Sequence, residues 1–171
     1  MTLRKNIRLA FFFAAAALSV AGCGIYSFSG TSIQNDVKTV CVVPVENKAL
    51  KINPTLANSL TEALNDKYRK LTNLEAVDDN GDLTVEASIS SYDVKAAAIT
   101  ANEVAALNRL TVTVKVKFTN FKHPEDNFEN SFAAYEDYDS SNSLDSVEGA
   151  LCETIVEKLV DDIFNATVAQ W

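Results

Sequence analysis

Leu110-Thr111-Val112-Thr113-Val114-Lys115-Val116-Lys117-Phe118 decides the fold. Apolar and polar side chains alternate without a break, and successive side chains of a β-strand point to opposite faces. Leu110, Val112, Val114, Val116 and Phe118 therefore face a core, and Thr111, Thr113, Lys115 and Lys117 face solvent. One buried face and one wet face is an antiparallel habit. Upstream, Leu83, Val85, Ala87 and Ile89 alternate in the same way, and then the phase slips so that Tyr92, Val94 and Ala96 carry the apolar side. An extra residue near Ser90-Ser91, a β-bulge, accounts for the slip. The Ala-rich stretch 96–108 fits either a long hairpin extension or a short helical turn. Downstream, the chain turns at Phe121 to Asp126, around His123-Pro124. Phe128, Phe132, Tyr135 and Tyr138 then mark an aromatic-rich strand with imperfect alternation.

Two helices complete the pattern. Asn53-Pro54 reads as an N-cap followed by the first helical position. Leu56, Leu60, Ala63, Leu64, Tyr68 and Leu71 then recur at three- and four-residue steps, the stripe of an amphipathic helix. A last helix is predicted from about Leu144 to Ala169, with Leu151, Ile155, Leu159 and Ile163 in its buried stripe. Ahead of the first helix, Val37 to Val45 is a nearly continuous apolar strand, loosened at Pro44, which has no N–H to give a ladder. The order is β-α-β-β-β-α. It defines an α+β domain over 37–171, with two helices on one face of a four-stranded, mostly antiparallel sheet.

The start of the chain has a separate purpose. Arg4, Lys5 and Arg8 precede an apolar run from Leu9 to Val20, too short to cross a hydrocarbon core of about 30 Å. Small residues follow, in Ser19-Val20-Ala21-Gly22-Cys23. This is the layout of a secretory signal, and its end resembles a lipobox. Residues 1–22 are thus expected to be a lipoprotein signal peptide. Cys23 is the expected attachment site for a diacylglycerol and an N-acyl chain such as palmitate, and residues 23–36 form a lipidated tether. Ile25, Tyr26 and Phe28 lie in that tether among Ser27, Ser29, Gly30, Thr31 and Ser32, more aromatic than a flexible linker needs. Gly24, where an aspartate resembles an inner-membrane retention signal, favours the outer membrane.

Charge and chemistry exclude more than they select. The formal charge is −8, and loss of residues 1–22, which carry three basic residues and no acid, takes it to −11. Such a balance makes the chain a poor candidate for a general nucleic-acid binder. One histidine gives neither a triad nor a metal pair. Asp78-Asp79-Asn80-Gly81-Asp82 lacks the spacing of a calcium loop and reads as a solvated Asn-Gly turn. We expect no catalytic residues, no metal and no cofactor other than the lipid on Cys23. Cys41 and Cys152 are either buried thiols or a disulfide. Lys115 and Lys117, on the wet face, serve either an anionic ligand or edge protection and solubility.

A resemblance joins these features. Cys23-Gly24-Ile25-Tyr26-Ser27-Phe28-Ser29-Gly30 resembles the opening of the LptE family of lipopolysaccharide-assembly lipoproteins in its Bacteroidota-type form. So do Asn108-Arg109-Leu110-Thr111-Val112-Thr113-Val114, Phe118-Thr119-Asn120, and the end from Asp162 to Trp171. The resemblance implies two helices on a four-stranded sheet, no enzyme activity, and an outer-membrane lipoprotein. It implies that the protein plugs a large LptD-type β-barrel, helps it fold, and binds lipopolysaccharide. Arg109, Lys115 and Lys117 are the counterparts implied for glycolipid or partner contact. A net charge near −11 opposes steering of anionic glycolipid, which favours the plug. The alternative is a regulatory or secretion lipoprotein resembling peptidoglycan-synthase activators or curli-secretion lipoproteins.

Overall fold

The computed structural model describes residues 33–51, 53–99 and 105–168. The expected signal peptide, Cys23, most of the tether, the tip of the 96–108 stretch and Trp171 lie outside these residues. Strands β1 (Thr39–Val42) and β2 (Glu46–Asn47) are followed by helix α1 (Leu56–Leu71) and strand β3 (Glu75–Ala76). Next come β4 (Leu83–Ile99), β5 (Ala105–Asn120), a short 3-10 turn (Pro124–Asp126), β6 (Phe128–Asp139) and helix α2 (Leu144–Val168).

The α+β architecture is as expected, and the sheet is larger and more mixed than the sequence suggested. Among the described residues it has six strands, ordered β3-β1-β4-β5-β6, with β2 also against β4. Only β4–β5 and β5–β6 are antiparallel; β1 pairs in parallel with both β3 and β4, and β2 in parallel with β4. The physical reason is the α1 crossover, which returns the chain beside β1 in the same direction, as a helical connection does. Val42 pairs with Val85 and Glu46 with Ser88, so four steps on one strand match three on the other. The mismatch falls at Pro44.

Asn53 caps α1 from before its first residue. Its Oδ1 accepts from the backbone N–H groups of Thr55 at 3.0 Å and Leu56 at 3.1 Å, the donors an N-cap satisfies. Leu56, Leu60, Leu64 and Tyr68 bury one stripe of α1, whereas Leu71 is exposed at the helix end. Ile155, Leu159 and Ile163 do the same for α2. Tyr68 meets Phe164 edge-on at 5.3 Å between ring centroids and joins the helices. Leu110, Val112, Val114, Val116 and Phe118 are all buried beneath them.

The bulge falls where the phase slips. Ile89 pairs with Val114 and Ser91 with Thr113, leaving Ser90 as the extra residue. The described parts of the 96–108 stretch extend the hairpin: β4 pairs with β5 as far as Ile99 and Ala105. At about 3.4 Å per residue, the 17 residues of β4 span roughly 55 Å. The Asn80-Gly81 turn folds over β1. Asn80 takes the left-handed φ of 51°. Gly81 is needed because a Cβ there would lie 2.6 Å from the Leu83 carbonyl oxygen and 2.7 Å from the Cys41 nitrogen. Cys41 and Cys152 are free, buried thiols, so the disulfide alternative is not realised. Burial pushes both thiols above the usual pKa, which makes them poor nucleophiles.

Candidate functional site

The sheet face turned away from the helices carries every basic residue the sequence singled out. On β5, Thr111 and Thr113 are half-buried there, and Lys115 and Lys117 are exposed. Arg109 shares that face because it lies at the same strand parity. β4 contributes Glu86 opposite Lys117 and Lys95 opposite Arg109. β6 contributes Glu129 opposite Lys117 and Asp137 opposite Arg109. The Ser90 bulge keeps both halves of β4 in phase with β5, so Glu86 and Lys95 reach the same face.

Each of the three basic residues is held by a carboxylate. Arg109 donates through Nε to Asp137 Oδ1 at 2.7 Å and through Nη2 to Asp137 Oδ2 at 2.9 Å. Its guanidinium also lies 3.8 Å from the Tyr135 ring centroid. This is the bidentate, stacked geometry that arginine makes and lysine cannot. Lys117 pairs with Glu86 at 3.0 Å, and Lys115 with Glu129. Hydrogen bonds from Arg109 hold the Asp137 carboxyl below the usual carboxylate pKa, and Lys115 does the same for Glu129. A shallow depression of about 240 Å³ lies between residues 43–48 and this face, bordered by Glu46, Lys48, Glu86, Lys115, Lys117 and Glu129. Its cations and carboxylates balance. An anion entering there must displace a carboxylate from a lysine, so the face suits a polar, charge-patterned protein surface better than a lone phosphate.

The sequence reading missed the partners. Glu86 and Lys117 are 31 residues apart, and Arg109 and Asp137 are 28 apart. Only the hairpin registers bring them together. Lys95 was also missed: it is exposed and carries no ion pair among the described residues. A count of same-parity charges on β4, once the bulge is included, is the signal that finds it.

A second cluster closes the far end of the sheet, where the described chain begins. Asn120, almost fully buried, accepts at Oδ1 from the backbone N–H groups of Lys122 and His123 and so shapes the turn before β6. Gln34 donates to Asp126 at 2.9 Å, and the His123 Nε2 lies 3.0 Å from Asp36. The Asp36 carboxylate raises the pKa of His123, and its own pKa is lowered in return. Among the described residues, no three His, Cys, Asp or Glu side chains converge as a metal site. No helix there is long and apolar enough to cross a membrane.

Two helices lie on one face of an open mixed sheet, and the other face is patterned in paired opposite charges. The chain belongs to the LptE family, described as lipopolysaccharide-assembly, whose model matches residues 37–167. It is thus a lipopolysaccharide-assembly lipoprotein of an envelope-associated family. Among solved structures it is similar to the hypothetical protein CT253 from Chlamydia trachomatis. That likeness has 8% identity, covers 77% of this chain and 98% of that one, and has a TM-score of 0.53. It is also similar to the rare lipoprotein B from Shewanella oneidensis, at 14% identity over 73% of this chain and 89% of that one, with a TM-score of 0.49. At such an identity the first likeness concerns the fold alone. No curated protein matches the chain in sequence.

Proposed function

We propose that this is the lipid-anchored component of an outer-membrane lipopolysaccharide translocon, seated in a large LptD-type β-barrel that it plugs and helps to assemble. Residues 1–22 act as the signal peptide, and Cys23 carries the diacylglycerol and N-acyl chains. Several acyl chains hold a protein at a membrane far better than one, which an acidic body needs because anionic lipid surfaces repel it. The family match over 37–167 is the observation that carries this reading. The charge-balanced sheet face supports it: Arg109, Lys115 and Lys117 with their carboxylates face the barrel wall, and any lipopolysaccharide contact is made along the same face.

Affinity purification of the lipidated protein from outer membranes tests the reading. A very large β-barrel is the expected partner. A peptidoglycan synthase, or a ring of identical subunits, in its place sinks the proposal and favours the regulatory or secretion alternative. Cys23→Ala is expected to mislocalise the protein and reduce assembly while leaving the fold intact. Full assembly by the unlipidated protein in cells would reduce Cys23 to an accessory role.

A further inference from the structure

Among the described residues the sheet ends on β3 at one side and on β6 at the other. The two edges are not alike. β3 consists of Glu75 and Ala76 alone, too short to template another chain. β6 is 12 residues long, and an open edge of that length invites a further strand. The Tyr135 carbonyl points away from β5 at this edge, since it accepts from Lys158 of α2. In an antiparallel pair the backbone groups turn toward the partner and away from it at alternate residues. Glu129, Ser131, Ala133 and Asp137 therefore present their backbone groups on the same side as Tyr135.

A lysine stands in the middle of this row. Lys158 Nζ donates to the Tyr135 carbonyl at 3.3 Å, is held there by the Glu136 carboxylate, and lies 5.9 Å from the Tyr135 ring centroid. The ammonium occupies the place that the N–H of an added strand would take. A strand that displaced it would leave a charge to be desolvated beside the new ladder, which is costly. A ladder that avoided Tyr135 at this end would keep only Glu129, Ser131 and Ala133, too few to hold two chains together. Space is not what is lacking. A groove of about 420 Å³ runs between Ala133, Ala134 and Tyr135 on the strand and Lys158, Asp161 and Asp162 on α2.

We propose that Lys158 closes the β6 edge to a second copy of this chain. A second copy brings an identical edge, and a two-fold axis sets β6 against β6 as an antiparallel pair. Lys158 would then stand in the seam from both sides, and Asp162 of each α2 would approach its counterpart. The sheet thus blunts its two edges by different means, β3 by its length and β6 by one side chain from the helix above it. The assignment rests neither on lipidation nor on the barrel partner.

Sedimentation of the mature chain in excess detergent micelles tests it, with hydrogen exchange read on the same samples. About 1 M salt screens the α2 carboxylates to about 3 Å, so that Lys158 is the remaining barrier. The wild type and Lys158→Arg, which keeps a donor for the carbonyl, are expected to stay single. Lys158→Ala is expected to self-associate about tenfold more tightly or better, with exchange across residues 129–135 slowing as protein concentration rises and α1 exchanging as before. Lys158→Ala that stays single overturns the proposal, and so does a wild type that already associates through residues 129–135. Ser131→Cys gives a second readout, because Cys41 and Cys152 are buried. Mild oxidation is expected to join two chains through position 131 when Lys158→Ala is also present; no joining, or equal joining with Lys158 in place, overturns it.

Discussion

Reversing one charge on the patterned face separates the stability of the sheet from its binding. Lys117 stands directly between Glu86 on β4 and Glu129 on β6, with its ammonium 3.0 Å from Glu86. Both members of the Lys117–Glu86 pair are about half exposed, so the pair contributes only about 0.2–1 kcal/mol. Lys117→Glu removes that attraction and adds a repulsion of similar size, so the Glu86 contact alone costs about 0.5–2 kcal/mol, and Glu129 acts in the same direction. The double swap, Glu86→Lys with Lys117→Glu, restores the attraction between positions 86 and 117 and should recover a large part of the loss. Urea unfolding at low ionic strength and in about 1 M salt, where screening reaches to about 3 Å, measures both effects. No destabilisation at low salt, or an equal loss at high salt, refutes the pairing argument. Co-purification of the proposed barrel partner with the swapped protein then reads the face itself. Recovery with stability means that the partner reads shape, and continued loss means that it reads the sign of the charge.

Other consequences are equally direct. Thr167 donates to the Phe164 carbonyl at 3.0 Å, so the buried Tyr68 hydroxyl donates to Thr167. Tyr68→Phe then costs about 1 kcal/mol, while Thr167→Val orphans the tyrosine hydroxyl and costs about 1–3 kcal/mol; thermal denaturation showing the reverse order contradicts this. Gly81→Ala drives a methyl into two backbone atoms and should cost about 1–3 kcal/mol, visible as a lowered Tm. For His123 and Asp36 the signs are opposite. The raised histidine pKa gives stability that is full below its ordinary 6.5 and lost as pH climbs through the raised value. The lowered aspartate pKa gives stability that is full above its ordinary 3.8 and lost as pH falls through the depressed value. The stability gap between the wild type and His123→Ala should therefore be widest between about pH 4 and 6.5; a gap that grows at alkaline pH would refute the assignment.

How much of this was legible depended on the range of the signal. The β5 alternation was carried by nine consecutive residues, and so was readable. The bulge was readable because an apolar phase cannot slip without an extra residue. Asn53 could be named as a cap from its place before Pro54. Glu46–Asn47 and Glu75–Ala76 were not readable, since two residues have no period. Nor was the parallel pairing of β1, because a run such as Val40-Cys41-Val42-Val43 says that a strand is covered without saying which neighbour covers it. The site divided in the same way. Arg109, Lys115 and Lys117 were placed on one face by parity alone. Their neutralisation by Asp137, Glu129 and Glu86 required two hairpin registers and changed what that face can bind.

Ser90 sets the phase of the longest strand. Below it, Val85 and Ile89 point at the helices; above it Tyr92 does, with its hydroxyl donating to Glu148 on the first half of α2 and lying 4.0 Å from the Cys152 sulfur. Deleting this single residue would leave a regular ladder, with Ile89 opposite Val114, Ser91 opposite Thr113 and Tyr92 opposite Val112. Tyr92 would keep its place beneath the helix, and the strand would lose only the local bend and twist that a bulge brings. Inserting a second residue beside Ser90 would do the opposite unless the bulge widened to hold it: Tyr92 would turn to the outer face and the front half of α2 would lose its floor. The strand can thus give up a residue at this point more cheaply than it can take one in.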